Sequence, residues 1–133
     1  MLSIIIPARN EADNLEDILN YFEKNLLKED FEVLLINDFS DDDTLSKAKK
    51  IFQLKNRFKV FDNQKKGLGG AINLGIENAI GDNTVIMMAD MSDDIEDLKR
   101  YNDLIDKENL DAVLGSRFIK DSEVVSYPFQ KLI

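Results

Sequence analysis

The stretch Val85-Ile86-Met87-Met88-Ala89-Asp90-Met91-Ser92-Asp93-Asp94 ends an apolar run at a carboxylate and adds two more carboxylates at once. A short apolar run bounded this way reads as a buried strand. Its end places Asp90 at the rim of a sheet, where α/β folds bind ligands. Carboxylates there can hold a divalent cation, and the cation can hold a diphosphate. The plainer alternative has Asp93 and Asp94 opening a solvated helix, since acids favour a first turn. The same pattern occurs where Phe31-Glu32-Val33-Leu34-Leu35-Ile36 runs into Asn37-Asp38. Asp38 at such a tip can accept hydrogen bonds from a nucleobase or ribose, or it can belong to a capped helix start with solvated charges. Lys65-Lys66-Gly67-Leu68-Gly69-Gly70 is the only glycine cluster. A P-loop needs Gly-Lys followed by Ser or Thr, and here both lysines come first; a dinucleotide fingerprint would place its third glycine at Ile72. What remains is either a flexible loop before a tightly packed helix, or backbone amides and Lys66 approaching a phosphate or sugar. Arg117, after Gly115-Ser116, is a surface arginine or a fork-shaped donor for phosphate oxygens.

These residues need elements to position them. Leu2-Ser3-Ile4-Ile5-Ile6-Pro7 is β-branched and apolar, a first strand ended by its proline. Asn10 is placed to cap the next helix, with Asp13 in its first turn. Leu15, Ile18, Leu19 and Phe22 then recur at helical spacing over about Glu11 to Leu26. The second strand runs from Phe31 to Ile36. Ser40 or Asp41 caps a helix whose apolar face is Leu45, Ala48, Ile51 and Phe52. Phe58 to Phe61 is a third strand. Ala71, Leu74, Ile76 and Ala79 mark a helix that Gly81 stops. Thr84 to Met88 is the fourth strand, and Ile95, Leu98, Tyr101, Leu104 and Ile105 mark the next helix. Asp111 to Leu114 is a fifth strand, with Asp111 structural at its far end. Alternating strands and helices predict a three-layer α/β/α fold with a mostly parallel sheet. A parallel sheet brings the polar tips of strands one, two, four and five to one edge.

Composition narrows the chemistry. The 133 residues suffice for one domain, and 44% are hydrophobic, ordinary for a soluble protein. No apolar run approaches the ~20 residues of a membrane-spanning helix. Met1-Leu2-Ser3 enters an apolar stretch with no basic region, so no secretory leader is expected. Cysteine and histidine are both absent. Disulfides, thiolate metal sites and the usual general base and zinc ligand are therefore excluded. A metal would sit on oxygen ligands, which suits Mg²⁺, Mn²⁺ or Ca²⁺. The formal net charge of −9 disfavours a nucleic-acid partner. A diphosphate ligand would need a metal or local cations to offset that field.

With the strand tips placed, the chain resembles the N-terminal region of family 2 glycosyltransferases, which have the GT-A nucleotide-diphospho-sugar fold, and within them polyprenyl- and dolichyl-phosphate sugar transferases. The resemblance rests on five ordered blocks between Leu2 and about Phe118: Ser3 to Glu11, Asn37 to Thr44, Lys66-Gly67 with Gly70 to Gly75, Met88 to Ser92, and Gly115 to Phe118. It implies a donor pocket in which Pro7, Ala8, Arg9 and Glu11 hold the nucleotide and Asp38 recognises the base. Lys66, Gly67 and Ala89 join the donor contacts by the same resemblance. The family's aspartate-x-aspartate motif binds metal and diphosphate; its last aspartate falls on Asp90 and the next ligand position on Ser92. Arg117 would meet a phosphate of the donor or of a lipid-phosphate acceptor.

Two positions depart from the family. Met88 stands at the first aspartate of the metal motif and cannot ligate a hard cation, and Asn37 replaces a common aspartate beside Asp38. Asp93 is the candidate to compensate, as a ligand or as a carboxylate base. The resemblance implies transfer with inversion from a nucleotide-diphosphate sugar to an acceptor, a polyprenyl phosphate or a glycan, assisted by Mg²⁺ or Mn²⁺. The resemblance further implies a donor-binding domain over residues 1–118, with 119–133 expected to begin an acceptor-side region. Membrane contact is expected only through a region C-terminal to this chain, and the expected location is cytoplasmic or peripheral at the membrane's cytoplasmic face. A non-catalytic nucleotide-sugar-binding module is the other reading. A nucleotidyltransferase or dinucleotide enzyme is disfavoured by the glycine spacing.

Overall fold

The computed structural model describes residues 1–26 and 28–115. The elements in order are β1 (Leu2–Ala8), a 3-10 turn (Ala12–Asn14), α1 (Leu15–Asn25), β2 (Phe31–Asn37), α2 (Thr44–Phe52), β3 (Phe58–Asp62), α3 (Leu68–Asn78), β4 (Asn83–Ile86) and α4 (Ile95–Glu108). The strands form one sheet in the order β3-β2-β1-β4, and every pairing is parallel. The chain moves outward from β1 to β2 to β3, then crosses back to place β4 on the far side of β1. Right-handed crossovers in opposite directions put their helices on opposite faces. One core accordingly packs α1, α2 and the start of α4 against Ile4, Ile6, Val33 and Leu35. The other, smaller core sets Ala71 and Leu74 of α3 against Ile5, Leu34, Ile36 and Phe61. A Cβ at Gly75 would collide with Ile5 Cγ2, so this glycine lets α3 lie directly on the sheet. The architecture is the three-layer α/β arrangement expected.

Several boundaries differ from expectation, each for a physical reason. β1 continues through Pro7 to Ala8 instead of stopping at the proline. Hydrogen bonds along β1 alternate between its neighbours: Ile5 O accepts from Met87 N–H on the β4 side, and Ala8 O accepts from Asp38 N–H on the β2 side. Pro7 therefore faces β4, where its missing N–H ends the ladder. That is why β4 stops at Ile86 and not at Met88. β4 is also an edge strand with alternating exposure, and Ile86 is exposed rather than buried. The 111–114 segment is not a strand among the described residues. Four residues with one β-branched side chain bury little, and Leu114 stands exposed. α3 ends at Asn78, where Ala79 turns to an extended conformation, three residues before Gly81. Gly81 instead packs on Ser3, whose Oγ would lie 2.7 Å from an added Cβ.

The amino edge of the sheet is held by a buried charge. Glu32 Oε1 accepts from Ser3 Oγ (2.7 Å) and Ile80 N–H (2.8 Å), and Lys59 Nζ donates to Oε2 at 2.7 Å. Burial pushes the Glu32 carboxyl up, but the bonds from Lys59, Ser3 and Ile80 outweigh it and leave the group below the usual range.

Candidate functional site

Because every strand points the same way, the residues after β1, β2, β3 and β4 emerge on one edge. β1 is central, with β2 on one side and β4 on the other, and the crossover reverses direction there. A reversal of this kind opens a crevice at the carboxyl edge. Ala8, Asp38 and the 87–90 segment stand at the carboxyl ends of β1, β2 and β4, on this edge. Asp38 and Asp90, expected to reach one small molecule, thus lie beyond the same edge of the sheet on the strands either side of β1.

The loops after β1 and β2 are stitched together. Asn10 N–H donates to Ser40 Oγ at 3.0 Å, and Asn10 Oδ1 accepts from Asp41 N–H at 2.7 Å. Asn10 sits at φ 58°, a left-handed conformation that asparagine tolerates better than most. It bonds across to the other loop and does not cap its own helix. Glu11 N–H donates to Thr44 Oγ1 at 2.9 Å, and Ala12 N–H to Asp42 Oδ2 at 3.4 Å. Asp42 Oδ1 accepts from both the hydroxyl and the N–H of Thr44, which holds the Asp42 carboxyl below its ordinary range. The N-cap position of α2 is Asp43, whose side chain makes no capping bond; Asp42, one residue earlier, accepts from Thr44 N–H, and neither Ser40 nor Asp41 caps the helix. The Glu11 carboxylate accepts from Asn14 Nδ2 at 2.7 Å. Arg9 is exposed, with its guanidinium 3.9 Å from Asp41. Pro7 is buried within β1, so it shapes the tip from inside the sheet.

Asp38 is the most buried carboxylate on this edge, only 7% exposed. Its Oδ1 accepts from Asn63 Nδ2 and from Gly67 N–H, each at 2.9 Å. Among the described residues its Oδ2 accepts no hydrogen bond. Asn63 also donates to Lys65 O (2.8 Å) and accepts from Lys65 N–H (3.0 Å), which folds the 63–67 segment into a tight loop. Gly67 opens α3 at φ 114°, a conformation that needs glycine. A Cβ at Gly70 would collide with Lys65 O, so the helix start and this loop are in direct backbone contact. The glycine cluster, whose role was open from its spacing, thus anchors α3 to the tip of β2. The first-turn amides of α3 face this edge, where a phosphate is favoured. Lys66 is exposed, with Nζ 5.9 Å from the centre of the Phe39 ring.

On the β4 side Ala89 is buried and Asp90 is exposed. Asp90 Oδ1 accepts from Ser92 N–H at 3.0 Å, and Met91 between them sits at φ 59°. Asp93 Oδ2 accepts from Met88 N–H at 2.9 Å, so this carboxylate closes the loop on itself. Asp94 caps α4 through Glu96 N–H at 2.9 Å. Of the two acids expected to open a solvated helix, Asp94 does so and Asp93 does not, while Asp90 stands exposed at the rim. No three acidic side chains gather closely enough to hold a metal among the described residues. Magnesium needs fewer, since it takes one or two carboxylates and completes its shell with substrate phosphates and water. Asp90 Oδ2 and the exposed Ser92 hydroxyl fit that minimal role; Met88 does not. Arg117 and the 119–133 segment lie outside the described residues. Two cavities, of about 540 and 500 Å³, lie away from this edge, along α4 and at the amino ends of β1, β2 and β4.

Asn63 and Phe39 were not singled out from the sequence. Asn63 comes after the apolar run of β3 as Asp38 comes after that of β2, so the tip pattern was present on a third strand.

The glycosyl transferase family 2 model matches residues 3–133. The dolichol-phosphate mannosyltransferase of Pyrococcus furiosus is 35% identical over 99% of this chain, which spans 38% of that protein. A dolichyl N-acetyl-glucosaminyl phosphate glucuronosyltransferase of Methanococcus voltae is 34% identical, with 99% and 43% covered. Among solved structures, S. aureus TarS in complex with UDP superposes with a TM-score of 0.65 at 28% identity, over 81% of this chain and 32% of that one. The chain spans well under half the length of these relatives.

Proposed function

Since the chain belongs to glycosyl transferase family 2, we propose that its carboxyl edge binds a nucleoside-diphosphate sugar for inverting transfer to an acceptor. One observation carries the reading. Asp38 is buried at the tip of β2 with one oxygen locked by Asn63 and Gly67 and the other left to accept, on the same edge as the exposed Asp90. A carboxylate so fixed is pre-organised to take an N–H or O–H from a base or ribose. UDP in the TarS structure supports a nucleotide at such a fold. Arg9, Ala8 and Glu11 line the β1 side; Lys66 and the α3 amides offer cation and N–H donors to the diphosphate.

Asp90, with Ser92 beside it, would hold a Mg²⁺ or Mn²⁺ ion whose charge offsets that growing on the leaving diphosphate. The acceptor is best read as a lipid phosphate, by analogy with the relative named a dolichol-phosphate mannosyltransferase. Such an acceptor is already anionic and asks for no protein base. A hydroxyl acceptor would ask for one, and Asp93 is committed to Met88 N–H. Arg117 remains the candidate partner for the acceptor or donor phosphate. No helix among the described residues is long and apolar enough to cross a membrane; peripheral attachment at the cytoplasmic face is part of this proposal. A second reading, a nucleotide-sugar-binding module without transfer, is favoured by Met88 at the metal motif.

Titration calorimetry with UDP and GDP, with and without Mn²⁺, tests the donor site. The expected result is binding strengthened by Mn²⁺, with that gain lost in Asp90→Ala. No heat of binding at millimolar nucleotide would refute both readings. Transfer or hydrolysis of a UDP- or GDP-sugar then separates enzyme from module.

A further inference from the structure

We propose that Phe39 is the surface on which the base of the bound nucleotide stacks; this rests on the donor reading above. Phe39 directly follows Asp38 and sits at φ 55°, in the left-handed region. A bulky side chain is a genuine outlier there, and strain of this kind gathers at ligand sites. Nothing in the core explains it. Phe22, Phe31, Phe52 and Phe58 are buried, whereas the Phe39 ring is 41% exposed. Glycine would satisfy this backbone without strain and asparagine nearly so. The turn instead presents an aromatic ring at the rim, one residue from the fixed carboxylate.

The ring's polar neighbour also points to a ligand. Lys66 Nζ lies 5.9 Å from the ring centroid, within cation–π range. Gly67, the next residue, is tied to Asp38. Ring, ammonium and carboxylate therefore meet at one corner of the crevice, matching the face of a base, a phosphate and a base or ribose edge. Aromatic stacking tolerates any base, so Phe39 would supply affinity and leave base choice to hydrogen bonds.

The chain contains no tryptophan, so Phe39→Trp places a single indole at the proposed contact. Its emission should be quenched by saturating UDP or GDP and left unchanged by ribose 5-phosphate. Phe39→Ala and Phe39→Gly should each bind UDP and GDP roughly tenfold or more weakly. Ribose 5-phosphate binding should stay as in the wild type. Glycine should melt no lower than alanine, since it relieves the strain that alanine keeps. Wild-type UDP and GDP affinity in both variants, or an indole blind to saturating nucleotide, would overturn the proposal and leave the donor site standing. A wild-type protein that binds no nucleotide would overturn the donor reading itself.

Discussion

Replacing Asp38 by asparagine should separate the two jobs its oxygens do. Oδ1 accepts from Asn63 Nδ2 and Gly67 N–H at 2.9 Å each. An amide oxygen in the same place keeps both bonds, now to a neutral acceptor. Charged bonds are worth roughly 1.5–3 kcal/mol and neutral ones about 0.5–1.5. The loss is partly offset because no charge is buried any longer, so the net cost is on the order of 1 kcal/mol. That is a few degrees in melting temperature for a domain of this size. The outer atom changes from an acceptor to a donor, however. An N–H of a base or an O–H of ribose would then meet an N–H where it had met an oxygen. Losing a charge-assisted bond there should weaken UDP and GDP by roughly 10- to 150-fold. Asp38→Ala is the contrast: it strands the Asn63 amide and the Gly67 N–H together, each at about 1–3 kcal/mol, and should melt far lower. Calorimetric titration and circular-dichroism melting of both variants read the two quantities. Nucleotide binding by Asp38→Asn at wild-type strength would show that the outer oxygen faces no ligand. Equal melting of the two variants would show that Oδ1 anchors nothing.

Two further outcomes come from the geometry. Glu32 has a folded-state pKa below its unfolded one, so its contribution to stability is full above the unfolded value near 4.5 and is lost as pH falls through the lower folded value. Urea midpoints between pH 7 and pH 3 should therefore fall less steeply in Glu32→Gln than in wild type; parallel curves would contradict this. Gly70→Ala forces the 63–67 loop to move, because the added Cβ would collide with Lys65 O. It should cost about 1–3 kcal/mol and weaken nucleotide binding, and unchanged melting and affinity would count against the tight contact.

Much of the fold and the site was legible in the residues. Ile4-Ile5-Ile6 and Val33-Leu34-Leu35-Ile36 are continuous apolar runs, and only a strand covered on both faces uses them so. Leu15, Ile18 and Phe22 reach the core at helical spacing. The carboxylates at the ends of β2 and β4 do emerge on one edge. Local rules failed where a side chain bonds across loops. Asn10 and Ser40 look like helix caps, yet they join each other's loops, thirty positions apart in sequence. Pro7 looks like a strand terminator, yet what it terminates is the neighbouring strand's ladder. The 111–114 run is apolar in Ala112-Val113-Leu114, but it is short, has a single β-branched side chain and pairs with no strand among the described residues. Asn63 was missed because an asparagine after a short strand is ordinary turn chemistry until Asp38 is seen opposite it.

Whether a nucleotide is held at the carboxyl edge is tested most directly by amide chemical-shift mapping of the ¹⁵N-labelled chain titrated with UDP and with GDP. Shifts should concentrate at Ala8 to Glu11, Asp38 to Asp41, Gly67 to Gly70 and Ala89 to Asp93. Shifts gathered instead around Leu2, Asp30, Asn83 and Asn102, which line the cavity at the opposite edge, or no shifts at all, would contradict it.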